Sequence, residues 1–119
     1  MSDETVFRFN SEEWGLFGNV LNEVINGFRV PEFERTIGME EESLRRLLRH
    51  LHTLSDSDGL DLGTREARAV RNSLCETLRK ISPWEFHTRT GYDLERANAI
   101  LAKLHSLLAP FSPEPPRGA

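Results

Sequence analysis

Glu32-Phe33-Glu34-Arg35-Thr36-Ile37-Gly38 and Glu85-Phe86-His87-Thr88-Arg89-Thr90-Gly91 are one pattern, Glu-Phe-(x)4-Gly, written twice at a spacing of 53 residues. The same shift lays Glu13 on Glu66, Asn19 on Asn72, Leu21 on Leu74, Glu23 on Glu76 and Glu42 on Glu95. It also lays Leu48, Leu51, His52 and Leu54 on Leu101, Leu104, His105 and Leu107. Without a gap, 12 of the 42 positions from Glu13 to Leu54 are identical, where average residue usage gives roughly two or three. Ile25/Leu78, Met39/Tyr92, Leu47/Ile100 and Thr53/Ser106 are conservative. The chain therefore reads as a tandem duplication, and a repeat of this length implies one supersecondary unit made twice.

Each unit, residues 6–54 and 60–108, reads as an apolar entry, a long helix, a short helix and a third helix. Ser11 and Thr64 are the expected N-caps, with Glu12, Glu13 and Glu66 at the positive end of the helix dipole. The first helix carries Trp14, Phe17, Leu21, Val24/Ile25 and Phe28 at helical spacing, and its counterpart carries Ala67, Val70, Leu74, Leu78 and Ile81. Ser82-Pro83-Trp84-Glu85 has the form of a capping box with proline at the first helical position. Pro31 stands one position later in its unit than Pro83 does, so that start is shifted. Gly38 and Gly91 are placed to end the short helices in the left-handed conformation. The third helices present Leu44, Leu47, Leu48, Leu51 and Leu54, and Ala97, Ile100, Leu101, Leu104, Leu107 and Leu108.

Val6–Phe9 and Leu60–Leu62 can pair as a minimal two-stranded ribbon across a pseudo-twofold axis, supported by the helices beneath it. A unit of about 50 residues buries too little to stand alone. The expected fold is all-α: two tandem three-helix units packed as an intramolecular pseudo-twofold domain over residues 1–109. Phe33 and Phe86 are expected in its core, and residues 110–119 form a mobile proline-rich tail.

With 38% apolar and 29% charged residues, 119 residues suffice for one soluble core. The net charge of −4 disfavours broad charge-driven binding to nucleic acid or anionic membrane. No apolar run reaches the roughly 18 to 20 residues of a membrane span. Met1–Thr5 is acidic without an apolar stretch, and Cys75 stands alone, so the cytoplasm is the expected compartment.

No Ser/His/Asp or Cys/His set, glycine-rich phosphate loop or CxxC is present, so neither catalysis nor a cofactor is expected. His50 and His52 are two apart and point to different sides of a helix, which is wrong for a metal pair. His52 and His105 are expected half-buried beside the leucine seam. Asn19/Glu23 and Asn72/Glu76 are i, i+4 pairs, expected to cap the short helix of their own unit or to bridge an arginine, ahead of the alternative that the two pairs line a polar cleft.

The expected role is that of a small non-enzymatic interaction or regulatory protein, with a partner protein ahead of nucleic acid. Trp84, Tyr92, Phe111 and the proline tail are its candidate contact elements. Arg65, Arg68 and Arg71, at i, i+3, i+6, are candidates for an anion-facing stripe, though such rows are commonly a solvated helix face. The short helix, glycine turn and third helix resemble a helix-turn-helix over about 20 residues of each unit. That resemblance implies DNA binding through Arg45, Arg46 and Arg49. The acidic run Glu40-Glu41-Glu42 sits where phosphates would be met, which places this reading second. An immunity-type or antitoxin protein, suited to the acidic balance, is a third.

Overall fold

The computed structural model describes residues 5–111. Strand β1 (Val6–Phe9) leads into α1 (Ser11–Asn22), which widens into a π-helical turn at Glu23–Gly27. Helices α2 (Phe33–Ile37) and α3 (Glu41–Leu51) follow. Strand β2 (Leu60–Gly63) then leads into α4 (Thr64–Lys80), α5 (Pro83–Thr90) and α6 (Leu94–Leu108), and a 3-10 turn covers Ala109–Phe111. The protein is mostly helical, with one small antiparallel sheet. No helix among the described residues is long and apolar enough to cross a membrane.

The ribbon forms as the alternating entries require. Phe7, Phe9, Leu60 and Leu62 point inward and are buried, while Val6, Arg8 and Asp61 face out. Its register pairs Val6 with Gly63, Phe7 with Leu62, Arg8 with Asp61 and Phe9 with Leu60. Arg8 thus faces the residue 53 positions along the chain, and the Arg8 guanidinium contacts the Asp61 carboxylate at 2.9 Å.

Helices α1 and α4 pack on each other at the centre; α1 also carries α3, and α4 carries α2 and α6. Leu16, Phe17, Val20 and Leu21 of α1 meet Ala67, Ala69, Val70 and Leu74 of α4 in one core. The buried stripe of α1 is wider than the spacing of Trp14 and Phe17 suggests, because the helix is covered on more than one side; Trp14 itself is only half-buried. Ser73 and Thr77 are buried on α4 but not orphaned. Their hydroxyls donate to the Ala69 and Ser73 carbonyls, each at 2.8 Å, the usual way a helical hydroxyl is satisfied inside a core.

Several local expectations are corrected. The N-caps are Asn10 and Gly63, one residue before Ser11 and Thr64. Asn10 forms a reciprocal box: the Glu13 N–H donates to Asn10 Oδ1 and the Asn10 N–H to Glu13 Oε1, both at 2.9 Å. Gly63 has no side chain, so only its N–H is satisfied, by Glu66 at 3.2 Å. Each strand ends so close to its helix that the cap falls on the last extended residue. Ser82 caps α5 with proline following, but makes no side-chain bond to the helix among the described residues, and Glu85 does not reach back.

Phe86 is fully buried, whereas Phe33 is only half-buried, because α2 starts late, after Glu32 in a left-handed turn. His52 and His105 are exposed. Asn19 and Asn72 do not cap their own unit. Asn19 Nδ2 donates to the Thr90 carbonyl at 2.6 Å, and Asn72 Nδ2 to the Ile37 carbonyl at 2.8 Å. Each asparagine therefore holds the end of the other half's short helix. Regular structure also runs past Ala109, since Pro110 and Phe111 belong to the 3-10 turn. The rest of the proposed tail, residues 112–119, lies outside the described residues.

Candidate interaction surface

Trp84 is the largest apolar side chain presented to solvent, 80% exposed. It occupies the first turn of α5, a helix anchored through buried Phe86 and Thr90. Proline at the first position presets the backbone there, so the indole stands on a rigid base.

The other aromatic candidates are engaged internally. Tyr92 is half-buried, and its Oη donates to the Glu12 carbonyl at 2.8 Å. Burial, and then the nearby Glu12 charge, push its phenol above the ordinary range. Phe111 packs edge-on against Phe7 with centroids 5.8 Å apart, and its carbonyl accepts from Arg68 at 2.5 Å. It closes the end of the ribbon and is 36% exposed.

The arginine candidates separate in the same way. Arg45 pairs with Glu41 at 2.8 Å and Arg49 lies 3.7 Å from Glu42, both along α3. Arg71 donates to Asn72 Oδ1 and so aims the Asn72 amide at the Ile37 carbonyl. With Arg68 on Phe111, the i, i+3, i+6 row is not one free face. Arg46 and Arg65 have no acidic partner among the described residues. Of the repeated carboxylates, Glu23 bridges to Arg89 of the other half at 2.6 Å, while Glu76 pairs along its own helix with Arg79.

Arg46 and Arg65 face a cleft of about 880 Å³ that no single stretch of sequence announces. It is lined by Met39, Ser43, Leu47 and His50 from the α3 side, by Thr64, Arg65 and Glu66 from the start of α4, and by Val6 and Phe111. A second concavity of about 460 Å³ lies at the other end of the ribbon, among Arg8, Asn10, Ser11, Glu13, Gly59 and Lys103. The two are built from corresponding positions. Asp61, Gly63, Thr64 and Glu66 stand 53 residues after Arg8, Asn10, Ser11 and Glu13, and His50 stands 53 before Lys103.

Cys75 is half-buried, and desolvation raises its thiol above the ordinary range, which makes it a poor nucleophile at neutral pH. The described residues contain no group of three or more His, Cys, Asp or Glu able to hold a metal ion. No protein-family model, no curated protein and no solved structure matches this chain.

Proposed function

We propose that the chain is a duplicated, non-enzymatic interaction module. Units 6–54 and 60–108 close on each other as an intramolecular pseudo-dimer, and the resulting body recognises a partner protein. Two features support the pseudo-dimer. The ribbon register centres on Arg8 opposite its own counterpart Asp61. The Asn19–Thr90 and Asn72–Ile37 bonds are the same contact made in both directions between the halves, the reciprocity of an isologous interface.

The observation that carries partner recognition is Trp84. An indole 80% exposed on a rigid helix start contributes little to this fold. Burial by a partner would remove about 150 to 250 Å² of aromatic surface from water, and tryptophan is enriched among the residues that dominate interface energies.

A photo-crosslinking residue at position 84, compared with one at exposed Lys80, tests this. The position-84 protein is expected to give a discrete adduct in source lysate that the position-80 protein does not, and Trp84→Ala to lose co-purification of that adduct's protein. Full retention by a folded Trp84→Ala protein would sink the reading. A salt-sensitive gel shift of duplex DNA, lost in Arg46→Ala, would redirect it to nucleic acid.

A further inference from the structure

The two clefts share a frame but not its fastenings. On the smaller side, three ties cross from α6 and the turn before it to the start of α1. Tyr92 Oη donates to the Glu12 carbonyl at 2.8 Å. The Arg96 guanidinium forks onto the Glu12 carboxylate at 2.8 and 2.6 Å. Lys103 Nζ meets Glu13 Oε2 at 2.6 Å and lies 5.4 Å from the Phe9 ring centroid.

At the corresponding positions of the larger cleft, the tyrosine is Met39, the Arg96 guanidinium is the Ser43 hydroxyl, and the lysine is His50. Glu12 is replaced by Arg65, so a carboxylate has become a cation at the same place. No hydrogen bond or ion pair joins these groups across the larger cleft among the described residues. The Glu12 carboxylate that one half supplies from within is missing from the other, while Arg65 and Arg46 stand there without acidic partners among the described residues. Met39 and Leu47 remain as an apolar floor, and both are buried. Asp61 is paired with Arg8, and Glu66 accepts from the Gly63 N–H and keeps its charge, so among the described residues the lining sets two guanidiniums against one unpaired carboxylate.

We propose that this unlaced cleft docks an acidic segment of a partner protein. Carboxylate side chains take Arg65 and Arg46, and an adjacent apolar side chain covers Met39 and Leu47. The inference rests on the reading of the chain as a protein-binding module, and supplies the chemistry of a surface separate from Trp84. Guanidinium–carboxylate pairs are charge-assisted and bidentate, so they can orient an extended segment. The volume, about 880 Å³, is room for a few side chains.

The test is a titration of the isotope-labelled full chain with acetyl-Glu-Leu-Glu-Leu-amide, followed by backbone amide shifts. Saturable shifts are expected in Met39–Leu47 and Gly63–Glu66, with the Lys-Leu-Lys-Leu peptide silent. Arg65→Glu should weaken binding by about tenfold or more, the scale of one lost charge-assisted pair. Met39→Tyr/Ser43→Arg/Arg65→Glu, which rebuilds the fastenings of the other cleft, should abolish it while keeping a folded spectrum.

The proposal is overturned if the lysine peptide binds equally well or if Arg65→Glu binds unchanged. It is equally overturned if dodecanoate saturates the cleft while the acidic peptide does not. Binding that emerges only after Asp3→Asn/Glu4→Gln would identify the chain's own acidic start as the occupant and would overturn a partner segment. Failure at Arg65 with crosslinking at position 84 intact removes this inference alone, and the converse removes only the Trp84 reading.

Discussion

The first helices of the two halves begin alike and end differently. Helix α4 runs unbroken from Thr64 to Lys80, and after Ser82 the chain turns directly into the eight-residue α5. Helix α1 widens after Asn22 into a π-helical turn; the backbone is then irregular to Glu32, which sits at φ 49°, and α2 has five residues. The wider turn goes with the proline that stands one position later. A non-glycine residue held in the left-handed region costs on the order of 1 to 3 kcal/mol, so the first half tolerates strain that the second avoids. What survives this divergence is the tertiary contact. Gly38 and Gly91 both end their helices at positive φ, 94° and 79°, and the carbonyl before each is taken by an asparagine from the opposite half. The two asparagine bonds between the halves are kept although the local geometry that presents them is not.

That comparison can be broken at the phenylalanines, where the largest effect is expected. Phe86→Ala should lower unfolding free energy by roughly 3 to 5 kcal/mol as a fully buried large-to-small change. Phe33→Ala, at the half-buried counterpart, should cost roughly 1 to 2 kcal/mol. Equal losses in chemical denaturation would show that the late start of α2 does not matter to packing. The asparagines should behave alike instead. Asn19→Ala and Asn72→Ala each leave a helix-end carbonyl without its partner and should each cost about 1 to 2 kcal/mol. A difference greater than that between them would dissolve the reciprocity.

Gly38→Ala and Gly91→Ala sharpen the point at smaller scale. A methyl at Gly91 meets open space and one at Gly38 lies 3.5 Å from Asn72 Nδ2, an ordinary contact. Only the positive φ then opposes the substitution, at about 1 kcal/mol for each. The smallest effect belongs to the fastening found in one half alone. The Arg96 hydrogen bond and charge hold the Glu12 carboxyl below its ordinary range, so its folded-state pKa is depressed. Its contribution is present above the unfolded pKa and lost as pH falls through the folded one. Thermal melts of Glu12→Gln against the parent should differ slightly at neutral pH, converge in acid, and converge again in high salt.

The helical class, the ribbon and the glycine turns were legible because each has its own local signal: helical spacing, alternation, a residue suited to positive φ. The caps were misplaced by one residue because Asn10 and Ser11 are both competent; only the point where the strand stops decides between them. Asn19 and Glu23 could be placed on one helix face, but no spacing rule says which short helix that face meets. Nor does the repeated pattern distinguish Phe33 from Phe86, since each follows a glutamate and precedes a glycine by five residues, and the two differ in backbone path. The larger cleft lay hidden for a related reason. Identities between the units mark the common frame, whereas the cleft is made by substitutions: Glu12 against Arg65, Arg96 against Ser43, Tyr92 against Met39. Those acquire meaning only once α6 is known to lie against the start of α1.

The pairing of Arg8 with Asp61 sits where each strand meets its own counterpart, and there two identical units would be forced to present identical residues to each other. Arg8 would face arginine in a pair of first units, and Asp61 would face aspartate in a pair of second units. Under the proposed pseudo-dimer, opposite charges at this position favour a first unit beside a second over a copy of itself, by the small margin of an ion pair whose side chains are 68% and 52% exposed. The charge pair at the ribbon centre would thus weakly disfavour joining through like units. It does not discourage exchange of complementary units between two finished chains. The short turn Ser55–Gly59 is what stands against that exchange, by keeping the correct partner at high local concentration.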